Sequence, residues 1–131
     1  MRAVAQALRE HVEPLLLRTR VSLSMWGHHH SYQGHCASAA GACVQRSTPG
    51  PDGARVFLNP TAPVQMVIGT AGAGFSTNVQ VPPPPFTELV LFNHGYARVV
   101  LHNSSALEWA FVEDVAGTVL DRMWIIQEAQ R

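Results

Sequence analysis

The stretch that decides the fold is Val21-Ser-Leu-Ser-Met-Trp26, which is followed directly by Gly27-His28-His29-His30. Apolar and polar residues alternate through the first six positions, which is the period of a β-strand with one buried face. Before it, apolar residues between Val4 and Leu16 recur at spacings of three and four, typical of a helix that buries one face. Pro14 predicts that this helix ends near 11–13 and that a short second turn follows. A helix followed by a strand predicts an α/β fold.

The remaining chain is read as one loop followed by a series of strands. Residues 31–53 are rich in Gly, Ala, Ser and Pro and lack periodicity, so we predict a loop there. Two short strands are predicted at 55–59 and 63–68. The last three predicted strands are separated by turn-rich segments and form an antiparallel meander; they cover 96–102, 106–113 and 119–127.

Composition excludes several classes of protein. The chain has 131 residues, of which 47% are hydrophobic and 14% charged, as expected of one globular domain. Nine arginines balance nine acidic residues and no lysine is present, so we expect neither nucleic acid nor an anionic membrane surface as a partner. No apolar run reaches the length of a membrane span, and Met1 to Leu8 do not have the pattern of an export signal.

The consecutive histidines are the first candidate for chemistry. In an extended segment residues i and i+2 share a face, so His28 and His30 are expected to project together and His29 to project the opposite way. Imidazole is a good ligand for zinc and iron, and two converging imidazoles make half of a metal site. Taken alone, so short a pattern is more often a polar loop whose histidines face water.

A longer series of motifs resembles the C-terminal half of the catalytic domain of purple acid phosphatases, and most of all the long plant and algal forms. The family's closing metal-binding motif, Gly-His-x-His-x-Tyr, has its counterpart in Gly27 to Tyr32. The other matching segments, in chain order, are Glu13 to Leu17, Val21 to Trp26, Cys36, Ala62 to Gly69, Ala71-Gly72, Gly95 to Val99 and Gly117 to Ile126.

The resemblance implies a fold as well as a motif. It predicts an α/β chain that forms the C-terminal portion of a four-layer α/β/β/α metallophosphatase sandwich, mostly antiparallel strands after one N-terminal helix. Residues 1–131 would be a single partial domain. We divide it into a histidine-motif region at 1–35, a loop at 36–54 and a C-terminal β-rich region at 55–131.

The resemblance further implies a function, the hydrolysis of phosphate monoesters at acidic pH by a binuclear metal centre. Such a centre holds a ferric ion beside a divalent ion, either zinc, manganese or iron. By position, His28 corresponds to the ligand of the divalent ion and His30 to the ligand of the ferric ion, whereas His29 stands at a variable position. Tyr32 is not the family's metal-binding tyrosinate, which belongs to an earlier motif.

The departures from the family define an alternative. The family's other ligands precede the region that this chain resembles, and two imidazoles do not hold two metals, so the chain alone is expected to be inactive. Gly34 also replaces the family's usual arginine, and His35 its usual threonine. The alternative function is therefore a non-enzymatic, β-rich binding or interaction module on a phosphatase scaffold. Expected partners are the missing N-terminal half or a second copy in a homodimer.

Weaker signals in the sequence add further expectations. Cys36 and Cys43 are close enough for a local disulfide, and free buried thiols are an equal alternative. A mixed zinc site of these cysteines with His35, beside His28 and His30, ranks below both. Asn103-Ser-Ser105 is an N-glycosylation acceptor, relevant because the resemblance implies a secreted, extracellular or vacuolar protein. The glycine-rich segment 69–74 is predicted to be a structural turn rather than a nucleotide loop.

The aromatic residues and two carboxylates of the last strands also carry predictions. Trp109, Phe111 and Trp124 lie at alternating strand positions, which predicts core packing. Asp114 and Asp121 flank a turn, and we expect them to be solvated.

Overall fold

The computed structural model of the chain describes residues 2–128, so Met1 and 129–131 of the predicted domain lie outside the described residues. Two helices come first, α1 (Arg2–His11) and α2 (Glu13–Arg18). Ten strands follow within the described part: β1 (Leu23–Trp26), β2 (Tyr32–Ala39), β3 (Ala42–Gln45), β4 (Thr48–Pro49), β5 (Arg55–Leu58), β6 (Val64–Ile68), β7 (Thr87–Leu91), β8 (Gly95–Leu101), β9 (Ala106–Glu113) and β10 (Val119–Ile126).

The strands form two five-stranded mixed sheets. In the first sheet β1, β6, β2 and β3 lie side by side, and β7 also pairs with β2. The second sheet has the order β4-β5-β10-β9-β8. The pairs β1–β6 and β5–β10 are parallel, and the other pairs described are antiparallel. The predicted α/β class and the antiparallel meander of the last three strands are confirmed.

The hydrophobic core lies between the two sheets. Tyr32 of the first sheet stacks on Phe111 of the second, with ring centroids 4.0 Å apart. Trp109 and Phe111 are buried as predicted, whereas Trp124 is only partly buried and stacks on His102. The other core residues are Ala37, Phe57, Ala62, Val64, Met66, Met123 and Ile125.

The prediction that Asp121 is solvated is wrong. Its exposed fraction is 7%, and its carboxylate accepts hydrogen bonds from Tyr32 and Arg55. Asp121 pairs with Phe111 across the β9–β10 ladder, and paired residues share a face of a sheet, so the carboxylate faces the core. A turn signal read from neighbouring residues carries no information about that register. Asp114 is exposed, as predicted.

The helices confirm the predicted break but not the predicted burial. Helix α1 ends at His11, and Pro14 lies in the first turn of α2, where a missing N–H costs no helical hydrogen bond. However, neither helix has a fully buried residue, and Val4 is 63% exposed. Within residues 2–128, neither helix is long and apolar enough to cross a membrane.

The predicted loop at 31–53, taken as 36–54 in the domain division, contains strands in the structure. Strand β2 (Tyr-Gln-Gly-His-Cys-Ala-Ser-Ala) and strand β3 both lie within it. The sequence of β2 has few β-branched or aromatic residues, but it pairs with β3, β6 and β7. These non-local pairings outweigh weak local propensity. Strand β7, just after the four prolines at 82–85, was not predicted either.

Candidate functional site

Two loops meet at one edge of the first sheet. The histidine loop (residues 27–31) follows β1, and the glycine loop (residues 69–76) follows β6. Strands β1 and β6 are parallel neighbours, with Trp26 opposite Val67, so both end at the same edge. The topology therefore places the loop with the candidate metal ligands beside the loop with the glycine-rich motif.

Backbone hydrogen bonds hold the two loops together. The N–H of Gly69 donates to the carbonyl of Ser31 at 3.1 Å, and the N–H of Ser76 donates to the carbonyl of His30 at 3.0 Å. The N–H of His30 donates in turn to the Ser76 hydroxyl at 2.9 Å. A side chain on Gly69 would overlap the carbonyl group of His29. The glycine loop is thus a supporting structure for the histidine loop, in line with its predicted structural role.

The histidine loop is not the extended segment that the sequence analysis assumed. His28 has φ +74°, in the left-handed region. The N–H of His29 donates to the carbonyl of Gly27, and the N–H of Ser31 donates to the carbonyl of His29. The backbone therefore turns tightly at both places. The alternation of side chains along a strand therefore does not place His28 and His30 on one face. Their assignment as metal ligands stays a prediction.

His30 has the geometry of a metal-binding imidazole. Its Nδ1 lies 2.7 Å from the carbonyl oxygen of Gly74. Because a carbonyl oxygen only accepts hydrogen bonds, Nδ1 carries the proton, and in the neutral ring Nε2 keeps its lone pair. Metal-binding histidines typically donate their other N–H to a backbone carbonyl in this way. His30 therefore fits the role of a ligand through Nε2.

On the described part of the chain, the residues fit only a portion of a metal centre. Within residues 2–128, no group of three or more His, Cys, Asp or Glu side chains is arranged to hold a metal ion. His28 and His30 are two candidate ligands, fewer than even one zinc site normally takes from a protein. The described residues can thus contribute two ligands to a metal centre, which is fewer than a full set.

A row of polar side chains runs from the histidine loop along β2. The hydroxyl of Ser31 lies 2.8 Å from His29 Nδ1, and the amide nitrogen of Gln33 donates to that hydroxyl at 2.9 Å. His35 Nε2 donates to the amide oxygen of Gln33 at 3.0 Å. These bonds orient the ring of His29, which the sequence analysis assigned to a variable position.

His35 is neutral under ordinary conditions. Burial, together with the nearby charge of Arg55, lowers its pKa to about 4, and the carboxylate of Glu88 opposes these two effects in part. The ring also contacts Phe86, with centroids 5.1 Å apart. His35 is therefore a packed, uncharged hydrogen-bond donor on β2 and not a candidate acid at the site.

The structure joins Cys36 and Cys43 in a disulfide, with their Cα atoms 5.9 Å apart across the β2–β3 hairpin. Since both sulfurs are bonded, the lower-ranked zinc site with His35 is not formed. Asn103 is exposed in the β8–β9 connection, and its side-chain oxygen accepts a hydrogen bond from the N–H of Ser105 at 2.8 Å. The predicted glycosylation acceptor therefore lies at an accessible turn.

His94 and Phe75 were not among the residues that the sequence pattern predicts for the site. His94 Nε2 lies 3.0 Å from the carbonyl oxygen of Ala73, and its ring stacks on Phe75 with centroids 4.4 Å apart. His94 precedes β8 and is far from the histidine loop in sequence, so no local pattern links the two. Only the pairing of the strands brings them to the same loop.

A cavity of about 790 Å³ lies away from the histidines. Its lining includes Ser22, just before β1, and Gln127, just after β10. The histidine loop is at the other end of β1, so this cavity is separate from the candidate metal ligands.

Comparisons with known proteins agree with the resemblance seen in the sequence. The family described as "Iron/zinc purple acid phosphatase-like protein C" matches residues 62–122. A relative from Arabidopsis thaliana, "Probable inactive purple acid phosphatase 9", is 28% identical over 138 residues, which cover 98% of this chain and 19% of the relative. "Acid phosphatase type 7" from Danio rerio is 28% identical over 89% of this chain and 26% of its own length.

The solved structures give the same fold. A purple acid phosphatase isolated from yellow lupin (Lupinus luteus) seeds matches with a TM-score of 0.68 at 18% identity, over 88% of this chain and 19% of the lupin chain. The chain thus spans about a fifth to a quarter of the length of these proteins.

Proposed function

We propose that this chain, whose residues 62–122 match the family described as "Iron/zinc purple acid phosphatase-like protein C", contributes His28 and His30 to a binuclear phosphatase centre. The reaction is the hydrolysis of phosphate monoesters at acidic pH. The metals are a ferric ion and a divalent ion, either zinc, manganese or iron. When bound, such a metal pair activates the attacking water and neutralises charge on the phosphoryl oxygens.

The observation that carries this proposal is the position of the histidine loop. It follows the carboxyl end of β1, next to the carboxyl end of the parallel strand β6. In α/β proteins, ligand sites form outside the carboxyl ends of parallel strands, where the loops of neighbouring strands converge. The chain has no lysine, so a phosphate group bound at this edge would be held through metal ions rather than through an ammonium group.

The remaining ligands come from outside these 131 residues in this proposal. Apolar surface supports a further protein segment, because Val4, Leu15 and Met25 are 63%, 46% and 53% exposed on the helices and on the edge strand β1. Exposed apolar patches and open strand edges typically mark contact surfaces. We propose that the rest of the metallophosphatase covers them. A stable dimer of this chain in light scattering would favour a second copy instead.

Zinc titration of the purified chain tests the role of the histidines. We expect Zn²⁺ to shift the ring resonances of His28 and His30 in NMR spectra, and the zinc affinity of the chain to fall in His30→Ala. His102→Ala is the matched control, because His102 is an exposed histidine on the β8–β9 connection of the other sheet. Equal zinc affinity in the wild-type chain and His30→Ala would contradict the proposal.

An activity assay tests the shared nature of the centre. With p-nitrophenyl phosphate, iron and zinc, we expect no turnover above the blank from the chain alone, because two imidazoles cannot hold two metals against water. Turnover that disappears in His30→Ala would show a complete centre within the chain and would overturn this part of the proposal.

The second candidate is a non-enzymatic binding module on the same scaffold. It is supported by the name of one relative, "Probable inactive purple acid phosphatase 9". Zinc affinity that is equal in the wild-type chain and in His30→Ala would favour this candidate.

A secreted or vacuolar location fits either function. It is supported by the disulfide, which is typical of oxidising compartments, and by the exposed Asn103 acceptor.

A further inference from the structure

Two histidines bind adjacent carbonyl groups of the glycine loop. His30 Nδ1 lies 2.7 Å from the carbonyl oxygen of Gly74, and His94 Nε2 lies 3.0 Å from that of Ala73. Since both acceptors are carbonyl oxygens, both ring nitrogens carry a proton. The glycine loop therefore connects a residue of the candidate site with a residue that precedes β8.

We propose that His94 and Phe75 are positioning residues that hold the Gly74 carbonyl in place and thereby fix His30 as its Nδ1–H tautomer. The use of the resulting Nε2 lone pair as a metal ligand rests on the proposed function. The Nδ1–H tautomer itself does not rest on the proposed function, because it follows from the hydrogen bond between His30 and Gly74 within the loop.

The contacts around the glycine loop explain how it is held. The ring of His94 stacks on Phe75 at 4.4 Å with an interplanar angle of 22°, and Phe75 also meets the edge of Phe92 at 5.8 Å. Phe75 directly follows Gly74 in sequence. A side chain clamped at this position restricts rotation of the peptide group that carries the Gly74 carbonyl.

A second contact anchors the start of the same loop. Thr70 is 1% exposed, its hydroxyl donates to the carbonyl of Gly95 at 3.1 Å, and the N–H of Gly95 donates to the carbonyl of Thr70 at 3.2 Å. Gly95 follows His94 directly. The loop is thus attached to the beginning of β8 at two points, through Thr70 and through Ala73.

The expected consequence is that His30 is held in the tautomer that leaves Nε2 able to bind a metal before any metal is present. A free histidine exchanges between two neutral tautomers, and only one of them presents Nε2 to a metal. Partners that orient a ligand in this way typically change metal affinity by about 10- to 100-fold when mutated. His94 and Phe75 act through the Gly74 carbonyl, so we expect their loss to weaken zinc binding at the histidine loop by at most about 5-fold, the factor that one ordinary hydrogen bond allows. Neither side chain is proposed to touch the metal.

The direct test is the tautomer of His30, measured from ring nitrogen shifts in NMR spectra of the metal-free chain at pH 8. In the wild-type chain we expect Nδ1–H. In His94→Ala and in Phe75→Leu we expect the ratio of Nδ1–H to Nε2–H to fall by roughly 5-fold, as for the loss of one ordinary hydrogen bond. His94→Gln keeps an N–H donor and should stay closer to wild type. His102→Ala, which removes another stacked histidine, should leave the ratio unchanged.

The outcomes separate this inference from the proposed function. An Nε2–H tautomer in the wild-type chain overturns the inference without any variant. An unchanged ratio in both His94→Ala and Phe75→Leu, with wild-type amide spectra elsewhere, overturns the positioning role. If the Nδ1–H tautomer is found but zinc does not bind His30, the positioning stands and the proposed function fails.

Discussion

Tyr32 of the first sheet donates its hydroxyl hydrogen to the carboxylate of Asp121 on the second, with the two oxygens 2.5 Å apart. The same hydroxyl oxygen accepts a hydrogen bond from the indole N–H of Trp109 at 2.8 Å. Burial and the charge of Asp121 raise the pKa of Tyr32 well above its usual value, so the phenol stays protonated and remains a donor. A buried polar contact thus joins the two sheets across the core.

Tyr32→Phe should destabilise the protein even though the ring and its stacking on Phe111 are kept. The variant removes the hydrogen bond to Asp121 and leaves the indole N–H of Trp109 buried without an acceptor. Losses of this kind cost about 2 to 3 kcal/mol in the free energy of unfolding. Urea unfolding at pH 7 measures the difference. A change below about 0.5 kcal/mol would contradict the importance of this contact.

Gly34 leaves room for the guanidinium group of Arg55. That group donates to Asp121 at 2.6 and 3.0 Å and to Glu88 at 2.9 Å, and an added Cβ on Gly34 would lie 2.6 Å from Arg55 Nη2. The three bonds to carboxylates prevent the arginine from moving away. We expect Gly34→Ala to cost about 1 to 3 kcal/mol in the free energy of unfolding, as for other overpacked cores.

A double-mutant cycle isolates that effect. Arg55→Met alone should cost about 3 to 5 kcal/mol, because it leaves the carboxylates of Asp121 and Glu88 without their positively charged partner. In the Arg55→Met background, most of the additional cost of Gly34→Ala should disappear, since the clashing group is gone. Equal costs in both backgrounds would show that Gly34 is required for a different reason.

Segments with a clear hydrophobic period, or bounded by proline or turn residues, could be predicted from the sequence. The alternation at 21–26, the break at Pro14 and the meander of the last three strands all have local causes, and the structure confirms them. The resemblance also indicated the motif that brings His28 and His30 to the edge of the first sheet. The disulfide was one of two alternatives that spacing alone left open.

The rest depended on contacts between distant residues. Strand β2 has a weak strand sequence and exists because three strands pair with it. Asp121 appeared to belong to a turn, but Tyr32 and Arg55 bind it inside the core. His94 lies near the candidate site because β7, which ends just before it, pairs with β2. Local patterns cannot reveal such pairings, because the interacting residues are far apart in sequence.

His35 should make stability depend on pH. Its pKa is about 4 in the folded chain against 6.5 for an ordinary histidine, so between these values the unfolded chain binds more protons. The stabilising contribution is therefore present above pH 6.5 and is lost as the pH falls towards 4. From the pKa difference, its upper limit is about 3 kcal/mol. In His35→Gln, the decrease in unfolding free energy from pH 7 to pH 4 should be smaller by up to that amount.

The control for His35→Gln is a substitution at a histidine that is not buried beside Arg55 and Glu88. His102→Gln is suitable, because His102 is exposed and pairs with Glu108 on the other sheet. It should retain the wild-type decrease caused by His35. Identical pH profiles for the wild-type chain and His35→Gln would show that His35 does not govern this dependence.

Asn103 should carry an N-linked glycan when the chain is produced in a eukaryotic secretory host. The acceptor sequence continues through Ser105, and the side chain is exposed at the connection between β8 and β9. A glycosidase that removes N-glycans should lower the mass of the wild-type chain by one glycan and leave Asn103→Gln unchanged. Ser105→Ala should also remain unmodified. A wild-type chain of unmodified mass after secretion would contradict the prediction.

The disulfide between Cys36 and Cys43 should stabilise the β2–β3 hairpin. It closes a loop across a sequence separation of 7, and cross-links of that length reduce the entropy of the unfolded chain by an amount worth about 2 kcal/mol. Replacing both cysteines with alanine should lower the unfolding free energy by that amount.

Thiol labelling tests the pairing itself. Without reductant, a thiol reagent should not label the unfolded wild-type chain, and after reduction it should label two sites. Labelling of two thiols before reduction would show that Cys36 and Cys43 are free, which was the alternative left open by the sequence. Cys36 is fully buried against the core, so the labelling must be done in denaturant to separate pairing from simple inaccessibility.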